Sequence, residues 1–207
     1  SCALKMPVAE NAMKVVEVSA GARRDACLAM LCAEVHGREG GLDALVSYAG
    51  VRGVWFENET ARLFALVDDA ERIHSAALLV LDENARGLNL ALWATPPVHR
   101  GHDHGIALVS QLADHGRLQV RLTDGSLVSV LRRAGINDWL EAEAEGDQPR
   151  ELVGMNPAAR VGNLAALDAL VRLDRERIKR SFKARPKDFE TYKNAFVRDL
   201  EHFARHI

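Results

Sequence analysis

The sequence is poor in the features that mark disulfide-stabilised, membrane-embedded or strongly charged proteins. Its 207 residues include three cysteines, an odd number, and no two of them stand close together as in a C-x-x-C pair. No run approaches the roughly eighteen uncharged apolar residues that a membrane span needs, and residues 1–19 lack the continuous apolar stretch of a signal peptide. We therefore expect no disulfide framework and no membrane segment, and we expect a reducing, cytoplasmic setting.

Charge of one sign is also missing from the chain as a whole, since the net charge is −2. The balance hides an asymmetry. Residues 151–207 contain twelve Lys or Arg and eight Asp or Glu, whereas residues 1–150 are acidic. A moderately basic tail of this kind is most often a solvated helix face, so we do not expect a nucleic-acid partner.

What the sequence does contain is enough apolar material for one core with an extension. Hydrophobic residues make up 48% and charged residues 27% of the chain, as in ordinary globular proteins. Alternating and helical spacings of apolar residues predict strands over 14–19, 61–67, 72–81, 88–95 and 118–122, and helices over 21–36, 42–49, 106–115 and 125–134. Because short polar turns join the second, third and fourth strands, we predict an antiparallel meander there.

The pattern changes after residue 140, where a polar, acidic stretch is followed by two helical segments that break around Pro186. The predicted division is an N-terminal extension, a domain, a linker and a C-terminal helical hairpin, over residues 1–13, 14–140, 141–157 and 158–207. The two helices are predicted over 158–182 and 187–206. Their apolar stripes are typical of packing against the core or against a second subunit, and a homodimer through these helices is one expectation.

The most informative stretch is TPPVHRGHDHG, residues 95–105, between the fourth predicted strand and the next helix. Its three histidines and one aspartate suggest a metal site. The spacing, however, leaves the site dependent on distant further ligands. The N-terminus of a helix presents N–H dipoles, which do not favour a cation. We therefore expect no metal here. The same stretch also contains an Arg-Gly-x-x-x-Gly core.

The order strand, two prolines, Arg-Gly-His-Asp-His-Gly, helix, strand and helix resembles the GCN5-related N-acetyltransferase (GNAT) family over roughly residues 14–140. In that family a Q/R-x-x-G-x-G/A loop holds the pyrophosphate of acetyl-CoA on backbone N–H groups and on the positive end of a helix dipole. The resemblance implies an α/β (α+β) fold, in which helices flank a mixed, mainly antiparallel sheet. It also implies acetyl-CoA as the cosubstrate.

The motif transfers residue by residue. Arg100 takes its leading position and Gly105 its closing one, and the end of the fourth strand corresponds to the backbone that pairs with the pantetheine arm in the family. The implied cofactor-binding residues are Trp93, Ala94, Thr95, Arg100, Gly101, His102, Asp103, His104 and Gly105.

Asp103 departs from the motif, because it stands where the family has its middle glycine. A carboxylate there would lie beside two phosphate charges, and one such pair about 5 Å apart costs roughly 3 kcal/mol at an effective dielectric near 20. Solvation or an ion pair with His102 or His104 would reduce this repulsion. Binding of CoA by this loop is therefore weakened, altered or lost, depending on how the charge of Asp103 is compensated.

The acid and base of the reaction are not obvious from the sequence. Leu131 occupies the position of a tyrosine that in the family is often proposed to protonate the departing thiolate, and leucine has no proton to donate. N-acetyl transfer also needs a neutral amine, and hence a base. The candidate bases are His99, Glu57 and Glu59, with His74 as a further histidine inside an apolar strand.

The resemblance implies an acyl-CoA-dependent N-acyltransferase, with acetyl-CoA as donor and a small-molecule or peptide amine as acceptor. The amine would attack the thioester directly, with the carbonyl oxygen polarised by backbone N–H near Thr95. The alternative is a catalytically inactive module of the same fold, serving for binding or oligomerisation. Asp103, Leu131 and the missing base favour this alternative, whereas Arg100, Gly105 and the intact order of elements favour the enzyme.

Overall fold

The computed structural model of the protein describes residues 12–37, 41–143, 146–147 and 149–207. Within them, a single sheet carries helices on both faces. The strands are β1 (Lys14–Glu17), β2 (Ala61–Val67), β3 (Ile73–Leu81), β4 (Leu88–Ala94), β5 (Leu118–Leu122), β6 (Asp138–Ala142) and β7 (Glu151–Met155). The helices are α1 (Ala22–His36), α2 (Leu42–Gly50), α3 (His104–Ala113), α4 (Val128–Arg133), α5 (Arg175–Ala184) and α6 (Pro186–His206).

The sheet has seven strands in the order β1-β2-β3-β4-β5-β7-β6. The pair β4/β5 is parallel and every other pair is antiparallel. This confirms the predicted fold class and the predicted meander of β2, β3 and β4. Local turn chemistry explains the meander, since Asp68 accepts hydrogen bonds from the backbone N–H groups of Ala70 and Arg72 between β2 and β3.

Two hydrophobic cores lie on the two faces of the sheet. Along β3, Leu78 and Val80 face the first core, whereas Ala77 and Leu79 face the second, as the two-residue period of a strand requires. The first core is covered by α1, α2, α5 and α6, and the second by α3 and α4. Cys27 and Cys32 are free and buried in the first core.

The sheet has two ends, which we call the far end and the loop end. β4 begins at the far end, beside the start of β2 and the end of β1, and it finishes at the loop end, where the chain enters the residue 95–105 stretch. Helix α1 follows β1, so it starts at the far end. At its other terminus Glu34 contacts Arg100, so α1 spans the sheet from one end to the other.

The predicted linker over 141–157 is wrong, because its two flanks form a hairpin of the sheet. β7 lies between β5 and β6 and pairs with both. Gly154 permits this close packing, since a Cβ there would meet the Trp139 ring at 2.6 Å and the Ile136 side chain at 2.8 Å. Short strands around an acidic turn lack the length that makes periodicity visible. Residues 144, 145 and 148 of this stretch, and residues 1–11 of the predicted N-terminal extension, lie outside the described residues.

The first of the two predicted C-terminal helices starts much later than expected. Residues 158–174 are irregular, with a short 3-10 turn at Leu164–Ala166 and a bridge between Leu170 and Asp82. Helix α5 begins where the Asp174 carboxylate accepts the N–H of Arg177 as an N-cap. The predicted break at Pro186 is confirmed, because Pro186 is the first residue of α6.

Helices α5 and α6 pack on their own chain. The apolar stripe of α6 lies against the first core, through Phe189, Tyr192, Phe196, Leu200 and Phe203. The contact is close: a Cβ on Gly50 of α2 would meet Leu173 at 2.8 Å and Ile178 at 2.9 Å. The stripe therefore serves packing within the chain, and a homodimer through these helices stays a prediction.

Asn156 joins several elements at the end of β7 and is fully buried. Its side chain accepts the N–H groups of Leu118 and Ala159, and it donates to the carbonyl groups of Ala113 and Gly116. One amide thus links α3, β5 and the start of the C-terminal segment. In the described residues, no helix is both long enough and apolar enough to cross a membrane.

Candidate functional site

The site begins where β4 and β5 part. They pair only at Leu88↔Leu118 and Asn89↔Gln119, at the far end, and toward the loop end the parallel ladder stops. On its other edge β4 has a bulge at Ala91, because Leu78 pairs with Leu92 while Leu79 pairs with Leu90. Among the described residues, no strand pairs with the loop-end half of β4 on the β5 side, and this leaves a cleft between the two strands.

The residue 95–105 loop leads from this cleft into α3. A 3-10 turn at Pro97–His99 follows β4, and α3 starts at His104. The first backbone hydrogen bond of α3 runs from the N–H of Ala107 to the carbonyl of Asp103, at 3.0 Å. Within the described part of the chain, the N–H groups of residues 101–106 have no acceptor. Together with the helix dipole they form an array suited to an anion.

The backbone of the loop has the shape that glycines usually provide. Gly101 has φ 87°, and Asp103 has φ 57° and ψ 24°, in the left-handed region. Asp103 therefore has a conformation that glycine adopts readily, and aspartate is one of the few other residues that tolerate it. Gly105 packs closely instead, because a Cβ there would lie 3.0 Å from the Trp93 ring and would force one of the two to shift.

Both arginines beside the loop are held by carboxylates. Arg133 of α4 donates from Nη2 to Oδ2 of Asp103 at 2.9 Å, and Arg100 donates from Nη2 to Oε2 of Glu34 at 2.6 Å. The charge of Asp103 is thus compensated by an ion pair with Arg133 rather than with a histidine. More than half of each side chain in the Asp103–Arg133 pair is exposed, so this pair adds little stability and exchanges readily with water or an anion.

The histidines of the loop gather around His74 rather than around a metal position. His74 contacts Asp68 at 2.7 Å through Nε2, and its ring lies 3.9 Å from that of His99 and 4.9 Å from that of His104, while His102 lies 5.4 Å from His104. Burial lowers the pKa of His99 and of His104, and the neighbouring histidines add to the effect. Among the described residues, no three His, Cys, Asp or Glu side chains are placed to share a metal ion.

Glu57 and Glu59 are not brought to this site. They precede β2, which starts at the far end of the sheet, opposite Val80 and hence near the start of β4. The length of β4 separates them from the loop, roughly 20 Å at about 3.3 Å per residue. Leu131 is fully buried in the second core, so its position offers no group to the cleft.

Sequence reasoning missed the partners that give the site its electrostatics, namely Glu34, Arg133 and Asp68. Each lies in another element and carries no local spacing signal. It also missed a polar contact at the end of α1, where His36 Nε2 and Ser47 Oγ are 2.8 Å apart and Arg175 donates to the same hydroxyl at 2.8 Å. Burial lowers the pKa of His36, and the charge of Arg175 adds to this.

Comparison with known proteins gives similarity at the level of structure. No family model and no curated protein sequence matches the chain. A structure from Corynebacterium glutamicum, titled as histone acetyltransferase HPA2 and related acetyltransferase, has a TM-score of 0.53 at 12% identity, over 73% of this chain and 99% of that one. A spermidine N-acetyltransferase SpeG chimera from Vibrio cholerae and hSSAT has a TM-score of 0.50 at 13% identity, over 70% of this chain and 94% of that one.

A third solved structure carries the family name. It is a Desulfovibrio desulfuricans protein assigned to the GNAT family of acetyltransferases, with a TM-score of 0.50 at 15% identity, over 70% of this chain and 98% of that one. At these identities the likeness concerns the path of the backbone. Together with the parting of β4 and β5 and the loop that leads into α3, it establishes that this chain has the fold of the GCN5-related N-acetyltransferases.

Proposed function

We propose that the protein is an acyl-CoA-dependent N-acyltransferase that moves an acetyl group from acetyl-CoA to a small-molecule or peptide amine. The observation that carries this proposal is the array of N–H groups of residues 101–106, which have no acceptor in the described chain and lie beside the cleft between β4 and β5. Such an array at a helix N-terminus suits a pyrophosphate. The acetyltransferases among the similar structures support the same reaction class.

The residues fit the donor if two ion pairs open. The pyrophosphate would lie on the N–H groups between Gly101 and Gly105, and Arg100 and Arg133 would turn to it from Glu34 and Asp103. Arginine suits this exchange, because a guanidinium binds phosphate and carboxylate in the same forked geometry. The backbone of residues 93–95, at the end of β4, would lie along the pantetheine arm.

His99 is the base that we propose for the acceptor amine. It ends the 3-10 turn that follows β4, and its pKa is lowered by burial, so it is neutral and able to accept a proton near pH 7. The amine would attack the thioester carbonyl, form the amide and release CoA. Because residue 131 is a buried leucine, water would supply the proton to the leaving thiolate. A cytoplasmic location stays a prediction.

The inactive module remains the second candidate, and one observation favours it. The carboxylate of Asp103 and its bond to Arg133 occupy the place next to which a phosphate would bind. If this pair does not open, the loop binds no CoA and the fold serves another purpose.

Calorimetric titration with acetyl-CoA separates the two candidates. We expect micromolar binding by the unaltered protein, at least a tenfold loss in Gly105→Val, which would displace the start of α3 from Trp93, and no change in Gly116→Val, where a Cβ has open space. Absence of heat at about 1 mM acetyl-CoA would support the inactive module. With binding established, thiol release in the presence of a panel of amines tests transfer, and His99→Gln should slow it about a hundredfold.

A further inference from the structure

A second cavity lies far from the loop, between the start of α1, the π-helical turn Val51–Trp55 and helix α6. Its volume is about 370 Å³, within the range of small-molecule sites. It is lined by Gly21, Arg24, Asp25, Arg52, Gly53, Phe56, Glu57, Thr191, Tyr192 and Ala195. We call it the α1–α6 cavity. One of its walls belongs to α6.

The α1–α6 cavity is separate from the acyl-transfer site. It opens at the far end of the sheet, near Asp25, whereas Glu34 of the same helix contacts Arg100 at the loop end. Nine residues of helix separate Asp25 from Glu34, which is about 13 Å. A ligand in the cavity would therefore not be the amine that attacks the thioester.

Most charges of the cavity are already compensated. Arg52 donates to the Tyr48 hydroxyl at 2.8 Å and lies 3.4 Å from Asp25 and 4.0 Å from Asp199. Tyr48 in turn donates to Asp199. Two carboxylates thus balance the guanidinium of Arg52, and this group needs no further anion.

Arg24 is different, because no described carboxylate contacts it directly, and Asp25 and Glu17 act on its charge only at longer range. Its guanidinium lies over the ring of Phe56, 3.8 Å from the centroid. Its Nε is buried and has no acceptor, and no described carboxylate lies within ion-pair distance of it. A buried N–H without an acceptor is costly. Beside it, the N–H groups of residues 22–24, in the first turn of α1, also have no acceptor in that part of the chain.

We propose that the α1–α6 cavity binds a small organic monocarboxylate with an aromatic or apolar body. The carboxylate would pair with Arg24, whose planar guanidinium accommodates two oxygens at once, and with the first turn of α1. The rings of Phe56 and Tyr192 would contact the apolar body. Asp25 and Glu57 on the wall select against phosphates and other dianions, because each extra negative charge is repelled by both carboxylates.

Calorimetric titration of the full chain with phenylacetate, in the absence of any CoA, tests the proposal. We expect a dissociation constant of about 1 mM or below, as ten non-hydrogen atoms allow. The neutral analogue 2-phenylethanol and the dianion phenyl phosphate should bind at least tenfold more weakly. Failure of phenylacetate to bind at about 10 mM, or equal binding of all three compounds, would overturn the proposal.

Two variants and one control connect the binding to Arg24. Arg24→Met keeps the stem on Phe56 but removes the charge, and should weaken phenylacetate binding about tenfold or more, whereas Arg180→Met, on the exposed surface of α5, should leave it unchanged. Glu57→Gln removes an exposed rim charge and should tighten binding about twofold to threefold. If Arg24→Met does not fold, the Glu57 variant still decides, since unchanged or weaker binding there contradicts the proposed charge selection. Because no CoA is present, these results are independent of the acyltransferase proposal.

Discussion

The arginines near the two ends of helix α1 differ in whether carboxylates contact them. At the loop end, Arg100 is held by the partly buried Glu34 and Arg133 by the exposed Asp103. At the far end, Arg52 is balanced inside a partly buried network, and no carboxylate of the described residues lies within ion-pair distance of Arg24. A ligand at the loop must therefore displace carboxylates, whereas a ligand in the α1–α6 cavity meets a cation that is already available. The two proposed anion sites thus differ in whether carboxylates of the same chain already contact their arginines.

The largest effect is expected from breaking the buried network at the far end. Asp199→Ala would leave the Tyr48 hydroxyl without its acceptor and would take one of the two carboxylates from Arg52, so it should lower the free energy of unfolding by about 2 kcal/mol. Urea unfolding measures this loss. Glu201→Ala, on the exposed face of α6, is the control. Equal stability of the two variants would mean that the network contributes nothing.

Next in size is the charge of Asp103 at the loop end. Asp103→Asn removes the charge but tolerates the left-handed backbone, and Asp103→Gly also removes the side chain. Both should tighten acetyl-CoA binding about fivefold, less than the unscreened repulsion suggests because the group is exposed. Asp114→Asn, just after α3, is the control in the same titration. Weaker binding in both Asp103 variants would show that the Asp103–Arg133 pair supports the loop rather than blocks it.

A smaller effect distinguishes the two ends by pH. The pKa values of His99 and His104 are lowered in the fold, mainly by burial, so the unfolded chain takes up protons first as pH falls below about 6.5 and stability is lost. The pKa of Asp25 is raised, mainly by burial, so protonation of this group favours the fold at pH near 4. Between pH 7 and pH 5 the free energy of unfolding should fall. His104→Gln should make this fall smaller, whereas the exposed control His115→Gln should leave it unchanged. A loss of equal size in all three proteins would contradict this origin.

The smallest effect is expected for the ion pair between Glu34 and Arg100. Glu34→Gln should change the free energy of unfolding by less than about 0.5 kcal/mol, because the arginine is largely exposed. It should nevertheless tighten acetyl-CoA binding about twofold by freeing Arg100. A marked loss of stability would show that this pair anchors the end of α1.

Features set by neighbouring residues were predictable from the sequence. The turn at Asp68, the strands of the meander and the glycines of the loop all have local signals, and Gly101 and Asp103 both have positive φ. Contacts between distant parts of the chain were not predictable. Arg133 reaches Asp103 across thirty residues, and β7 is recognised as a strand only by its pairing with β5 and β6. For the same reason, the distance of the candidate bases Glu57 and Glu59 from the loop was not predictable, since the sequence does not show how far apart two residues lie along the sheet.

The close contact at Gly50 changes how the chain should be divided. Leu173 and Ile178 approach α2 so closely that even a methyl group on Gly50 would collide with them. The last thirty-odd residues therefore pack over the first core. A fragment that ends after β7 would expose the apolar surfaces of α1 and α2. We expect such a fragment to aggregate when it is expressed alone. The smallest fragment of this protein that we expect to fold on its own thus includes α5 and α6.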